Sequence, residues 1–244
     1  MGSVSTTVIG SRLAFMAEDR SAQVAAVAAL AEPTRRRLYE YVVRQPHPLS
    51  RDDVAAALGV PRPTTAFHLD RLVADGLLDT HYERRTGRTG PGAGRPAKLY
   101  RRSETSVAVS LPERRYDLAG ELLASALDEA ERSGERPRAT LERRAHQRGR
   151  ELGEVARATG GNGREAVLQA LERQGFEPRL EGQGIALANC PFHALAREHT
   201  ELVCGMNLHL LEGVLEGAPS SGLTARLLPQ PGMCCVRLDP AGVA

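Results

Sequence analysis

Hydrophobic positions along the chain change period several times, and the changes divide it into stretches. From Ser21 to about Gly76 apolar residues recur at helical spacing. Val24, Val27, Ala28 and Leu30 fall on one face of a first helix, which Glu32-Pro33 interrupts. Leu38, Tyr39 and Val42 face inward in a second, and Pro46 and Pro48 bracket a loop. Two short helices are then expected within Leu49 to Leu78, LSRDDVAAALGVPRPTTAFHLDRLVADGLL. Ser50 is the expected N-cap, with Asp53 placed to reach back to it. Val54, Ala57 and Leu58 share the inward face, and Gly59 supplies a left-handed end. Pro61 and Pro63 lack N–H groups and suit the first turn of the next helix. That helix is expected to bury Phe67, Leu69, Leu72 and Val73 and to close at Gly76.

Beyond Gly76 the pattern reads as a β-hairpin. One strand runs from Leu77-Leu78 to about Arg84, and Gly87, Gly90, Gly92 and Gly94 form a long tip. Lys98-Leu99-Tyr100 begins the return. Helical period resumes at Leu111, with Tyr116, Leu118, Leu122, Leu123 and Leu127 along one side. A charged helix over 141–159 follows, with Leu152 and Val155 inside. The remainder reads α-β-β-α-β-β: a helix over 164–174, strands over 176–181 and 185–189, a long helix from Pro191 to Leu215, and strands over 223–228 and 234–238. Leu195, Leu202, Val203, Met206, Leu210 and Leu211 form the long helix's apolar face. The expected class is α+β. The expected division is a flexible arm over 1–20, a DNA-binding domain over 21–103, a helical linker and dimerisation region over 111–160, and a cysteine-containing sensor domain over 161–244.

Charge sharpens this division. The 244-residue chain has a net charge of +2, but residues 1–112 carry 16 Lys+Arg against 11 Asp+Glu, and the rest 16 against 19. A basic front suits a nucleic-acid partner. The polar front of the helix after Gly59 carries Arg62, Thr64, Thr65, His68 and Arg71, all able to hydrogen-bond to base edges or phosphates. The hairpin adds Arg84, Arg85, Arg88, Arg95 and Lys98, besides Arg101 and Arg102, with no acid among them. Such a hairpin suits phosphate clamping, since each neutralised phosphate releases counterions. An ordinary αα-hairpin with a solvated face is the plainer alternative.

Three segments, ALAEPTRRRLYEYV, the Leu49–Thr80 stretch and GRPAKLYRRS, resemble in order and spacing the winged helix-turn-helix domain of ArsR-type transcriptional regulators. The resemblance covers about residues 21–103 and implies that 62–75 is the recognition helix and 79–101 the wing. The cysteine motif of many ArsR metal sensors is absent from the recognition region, so the resemblance does not extend to metal sensing by this domain.

The four cysteines, Cys190, Cys204, Cys234 and Cys235, all lie in the last 55 residues. A chain with no apolar run of 18–20 residues and no signal-peptide pattern is expected to be cytoplasmic and not membrane-bound, where thiols stay reduced. Cys190 and Cys204 would stand about 20 Å apart on one straight helix. Either the helix breaks, most naturally around Glu198-His199-Thr200 with Thr200 capping a second helix, or the two serve different sites, or they pair across subunits. In a strand, Cys234 shares its face with Val236 and Leu238, and Cys235 shares its face with Arg237 and Asp239. Small buried thiols are one reading. Zinc completed by His193, His199 or His209 is a second, and an iron–sulfur cluster is a third.

NCPFHALAREHTELVCGMNLHLLEGVLEG and PGMCCVRLDP are similar to the C-terminal half of SufR-type repressors, winged-helix regulators of iron–sulfur cluster assembly operons. The resemblance implies a [4Fe–4S] cluster, or else a [2Fe–2S] one, held by Cys190, Cys204 and either Cys234 or Cys235. The sequence therefore points to a homodimeric, non-enzymatic repressor that binds double-stranded operator DNA and is governed by that cluster. A winged-helix regulator binding zinc or an organic effector is the nearest alternative. A thiol enzyme using Cys190 and His193 while tethered to DNA is a distant one. Operator sequence, cluster type, fourth ligand and inducing signal stay open.

Overall fold

The computed structural model describes residues 21–83, 96–219 and 221–242. They fall into two units, one ending at Val109 and one beginning at Ser110. The expected arm over 1–20 and the hairpin tip carrying Arg84, Arg85, Arg88 and Arg95 lie outside the described residues.

The front unit is built from local signals. Helix α1 covers residues 21–29. Helix α2 (Pro33–Val43) starts where Glu32 accepts the Thr34 and Arg35 N–H groups, and it buries Leu38 and Val42. Strand β1 (Leu49–Ser50) leads directly into α3 (Arg51–Leu58). There Ser50 and Asp53 form the expected capping box, and Gly59 ends the helix at φ 63°. Helix α4 (Arg62–Ala74) begins with proline in its first turn. Strands β2 (Leu78–Glu83) and β3 (Ala97–Arg102) pair antiparallel, and β1 adds to the other edge of β3, giving the order β1-β3-β2. Leu38, Val42, Val54, Leu69, Leu72, Leu78 and Tyr100 make the core with Ala26 and Ala29.

Several expected faces are rotated. In α1 the buried residues are Ala26 and Ala29, while Val24 and Val27 are exposed. Ala57 is exposed and Val54 alone is fully buried in α3. In α4 Thr65 is buried in place of Phe67. Helix periodicity weighs residue type, whereas the buried side is set by the neighbour; small side chains allow the closest approach and are chosen over bulkier ones.

The rear unit begins with α5 (Tyr116–Ser133) and α6 (Pro137–Ala158). These helices do not form a separate linker; they pack into the same unit as the cysteine region. Their inner stripes are Leu118, Ala119, Leu122, Ala126 and Ala130 in α5, and Leu141, Ala145, Gly149, Gly153 and Ala156 in α6. Tyr116, Leu127 and Val155, expected inside, are exposed. For Val155 the reason is α9 (Thr200–Gly217), which lies against the glycine side of α6 at backbone contact. A Cβ on Gly149 or Gly153 of α6 would overlap the Leu210 or Val214 carbonyl of α9. A Cβ on Gly213 or Gly217 would overlap the His146 or Arg150 carbonyl of α6.

Helix α7 (Arg164–Arg173) precedes β4 (Pro178–Glu181) and β5 (Gly184–Leu187). Helix α8 (His193–Glu198) precedes α9, so the expected break falls at His199. Thr200 does not cap α9. Its hydroxyl donates back to the Ala196 carbonyl at 2.7 Å. Strands β6 (Leu223–Leu227) and β7 (Val236–Pro240) complete an antiparallel sheet of order β4-β5-β7-β6. Cys234 and Cys235 therefore precede β7 instead of lying within it. No described helix is long and apolar enough to cross a membrane.

Candidate nucleic-acid interface and cysteine site

The turn between α3 and α4 is fixed by Gly59 and by Thr65. The buried Thr65 hydroxyl reaches the Val60 carbonyl at 3.4 Å, and its N–H donates to the Pro61 carbonyl at 2.9 Å. Thr65 thus holds the turn and is not available to DNA, contrary to the expectation. His68 is also turned inward, its side chain only 12% exposed. Its Nδ1 accepts from Arg35 Nε at 3.5 Å and lies 3.7 Å from Glu32 Oε2. Burial raises the Glu32 carboxyl, but the Arg35 and Thr34 N–H groups outweigh it and hold the group below its ordinary value. His68 joins α4 to α2.

The outward face of α4 carries Pro63, Thr64, Phe67, Asp70, Arg71 and Ala74, all exposed, with Arg62 at its N-terminal edge. Arg62 pairs with Asp52, Nη2 to Oδ2 at 2.6 Å, and Arg71 pairs with Asp75 at 2.9 Å. The exposed Arg62–Asp52 pair contributes at most about 1 kcal/mol, so that guanidinium can be surrendered to phosphates or bases, whereas the Asp75 side chain that Arg71 holds is only 7% exposed. Lys98 Nζ, on β3, lies 2.6 Å from Asp70 Oδ1, and the Tyr100 hydroxyl donates to the same oxygen at 2.8 Å. Burial and the Asp70 carboxylate push the Tyr100 phenol well above its ordinary value, so it stays a donor. The pair fastens the hairpin to the helix and neutralises the acid on the outward face.

Two short helices at a tight turn, the second presenting a polar and basic face beside a hairpin, have the layout of a major-groove reader. A model of the helix-turn-helix domain matches residues 30–81. The chain carries a helix-turn-helix domain. Searches of the curated proteins and of the solved structures find no match. A helix-turn-helix domain marks a DNA-binding transcriptional regulator; Arg62, Thr64 and Arg71 within the matched residues, and Lys98 beyond them on β3, remain exposed or half-exposed for contact.

In the rear unit, three separate elements bring the thiols together. Cys190 lies in the loop between β5 and α8, Cys204 in α9, and Cys234 and Cys235 just before β7. The Cys234 N–H donates to the Leu187 carbonyl at 2.9 Å, which lays this turn along the end of β5. The Cys234 side chain lies close enough to Cys190 to shift that thiol and be shifted by it, and Cys235 lies close enough to shift Cys204. The hydrogen bond from Cys234 lowers the Cys190 thiol to about 7 against the opposing effect of burial, helped by the Phe192 N–H and Arg114. Its partner Cys234 is pushed up by that same bond and by burial. Burial, with the Cys235 hydrogen bond, pushes Cys204 up to about 12.

Polar side chains missed by the periodic pattern hold the site. The buried Asn189 donates through Nδ2 to the Gly175 carbonyl at 2.6 Å and to the Glu113 carbonyl at 3.0 Å. Arg114 Nη1 donates to Asn189 Oδ1 and, at 3.1 Å, to the Cys190 carbonyl. In α9 the buried Asn207 donates to Cys234 Sγ at 3.3 Å, leaving its Oδ1 without a hydrogen-bond partner among the described residues. Asn189 next to Cys190 in NCPF was the visible signal; a buried amide before a turn cysteine needs fixed partners.

Among the described residues, no group of three His, Cys, Asp or Glu side chains is gathered to hold a metal ion. The thiols pair two by two, and the histidines stand elsewhere: His193 and His199 are exposed, and His209 pairs with Glu212 at 2.7 Å. A single zinc needs four donors within about 2.3 Å of one point. A polynuclear iron–sulfur cluster presents irons at separate corners and takes thiolates that do not meet at one point.

Proposed function

We propose that the chain is a homodimeric transcriptional repressor whose grip on operator DNA depends on an iron–sulfur cluster in its rear unit. Cys190, Cys204 and either Cys234 or Cys235 would hold the cluster, [4Fe–4S] in preference to [2Fe–2S]. The observation that carries the reading is the gathering of four thiols from 46 residues of sequence. When bound, such a cluster supplies a brace that oxidation or iron shortage removes. Asn189 and Arg114 fix the backbone presenting Cys190, and the Asn207 N–H supports charge on the Cys234 sulfur. Pairing of two chains follows from the small DNA surface of one helix-turn-helix unit, since two recognition helices about 34–36 Å apart read adjacent major grooves. The resemblance of the cysteine segments to SufR-type repressors makes cluster assembly genes the proposed targets.

Isolation without air, followed by iron and sulfide quantification, tests the reading. A brown protein with iron and sulfide in equal amounts is expected, and Cys204→Ser should lose both together with operator affinity. A colourless, iron-free protein that binds its operator fully, or one containing zinc instead, overturns it.

A further inference from the structure

Phe67 is the residue on α4 for which the fold has no use. Its side chain is 64% exposed, while the apolar positions that follow it, Leu69 and Leu72, are fully buried. It stands on the outward face in line with Thr64 and Arg71, at positions i−3 and i+4. The three side chains span about 10 Å along the helix axis, the height of about three base pairs. The ring is also held from behind. His68 packs edge-on against it, centroids 5.3 Å apart, and His68 is itself fixed by Arg35. A phenyl ring exposed on a basic, polar face offers apolar area that an apolar group of the partner can cover with a gain in free energy.

We infer that Phe67 covers the C5-methyl of a thymine in the operator, and so sets part of the sequence preference. The inference rests on the DNA-binding reading of α4. The methyl group is the only apolar feature that distinguishes base edges on the major-groove floor, and phenylalanine is among the side chains that contact it. The charges of the same face match this occupant: Arg62 and Arg71 lie on α4 with the ring, and the acid on the outward face, Asp70, is taken up by Lys98 and Tyr100. Thr64 and Arg71 bracket the ring with hydrogen-bonding groups that fix its register against neighbouring bases.

The test uses the full-length protein and duplexes selected from a random pool. In the selected sequence each thymine is replaced in turn by deoxyuridine, which removes only the methyl. Wild-type protein should bind about fourfold more weakly at the contacted position, the factor expected for one buried methyl. Phe67→Ala should bind the thymine duplex correspondingly more weakly and show no difference between thymine and deoxyuridine there. Phe67→Leu should keep part of the discrimination. Because the side chain is exposed, Phe67→Ala should leave the circular dichroism spectrum and thermal midpoint unchanged. If wild-type protein enriches no sequence, the DNA-binding reading falls and takes the inference with it. If a sequence is enriched but no thymine is sensitive, or Phe67→Ala keeps the same sensitivity, the inference alone is overturned.

Discussion

In the front unit Arg62, Thr64, Phe67 and Arg71 all belong to one helix of thirteen residues. In the rear unit the four thiols come from a loop, the interior of a helix and a turn. The first arrangement is set by neighbours in sequence: a capping box, a left-handed glycine and a proline in the first turn bring α4 to its position. The second exists only once α9 lies against α6 and the ends of β5 and β7 lie side by side. A contact surface on one helix tolerates distant change, whereas a site gathered from several elements inherits the stability of the whole core.

The largest expected effect breaks that core. Gly149→Val puts two methyl groups where the Leu210 carbonyl of α9 already stands. Overpacking against backbone cannot be relieved by a rotamer change, so a cost of about 3 kcal/mol or more is expected. Hydrogen exchange on the full-length variant should show α6, α9 and the cysteine segments losing protection while α3 and α4 keep theirs. Equal loss in both units would show that the front does not stand by local signals alone.

Asn189→Ala should cost less and act closer to the thiols. It leaves the Gly175 carbonyl and one Arg114 N–H without their partner and takes one of two donors from the Glu113 carbonyl. Buried groups stranded in this way cost about 2–3 kcal/mol in total. Urea denaturation measures that loss. Alkylation followed by mass spectrometry should show Cys190 reacting faster than in wild type, with Cys204 little changed, because Asn189 holds only the Cys190 loop. Unchanged Cys190 reactivity would mean that the loop is held by Arg114 and Cys234 without the amide.

The same contrast explains what could be read from the chain in advance. Ser50, Asp53, Gly59 and Pro63 act on residues within four positions of themselves, and each does what its chemistry requires. The break at His199 was legible because one straight helix would have kept Cys190 and Cys204 apart. The face of α4 was only half legible: Thr65 and His68 are polar and so resemble DNA contacts, yet both are needed inside, by Val60 and by Arg35. Phe67 is apolar and so resembles core, yet it is exposed. Gly149, Gly153, Gly213 and Gly217 carry no hydrophobic signal at all, although they form the closest packing in the rear unit. Without that packing α5 and α6 read as a separate linker. The pairing of Cys190 with Cys234 and of Cys204 with Cys235 depends on how strands distant in sequence align, which no local pattern encodes.

The smallest expected effect probes the tie that fastens the hairpin to the front face. Burial raises the Asp70 carboxyl, but hydrogen bonds from Lys98 and Tyr100 outweigh it and hold the group below its ordinary value. A carboxylate held low in the folded state stabilises that state above its unfolded pKa of about 3.9, and the gain disappears as pH falls through the folded value. Asp70→Asn lacks this dependence. The stability difference between wild type and variant should therefore be constant from about pH 5 upward and should shrink toward zero below about pH 4. Since Asp70 is 55% exposed, solvent screening keeps the difference under about 1 kcal/mol. Urea midpoints across that range measure it. A difference well above this size would mean that the hairpin, and not the local caps alone, holds α4 in place, and the contrast between the two units would narrow accordingly.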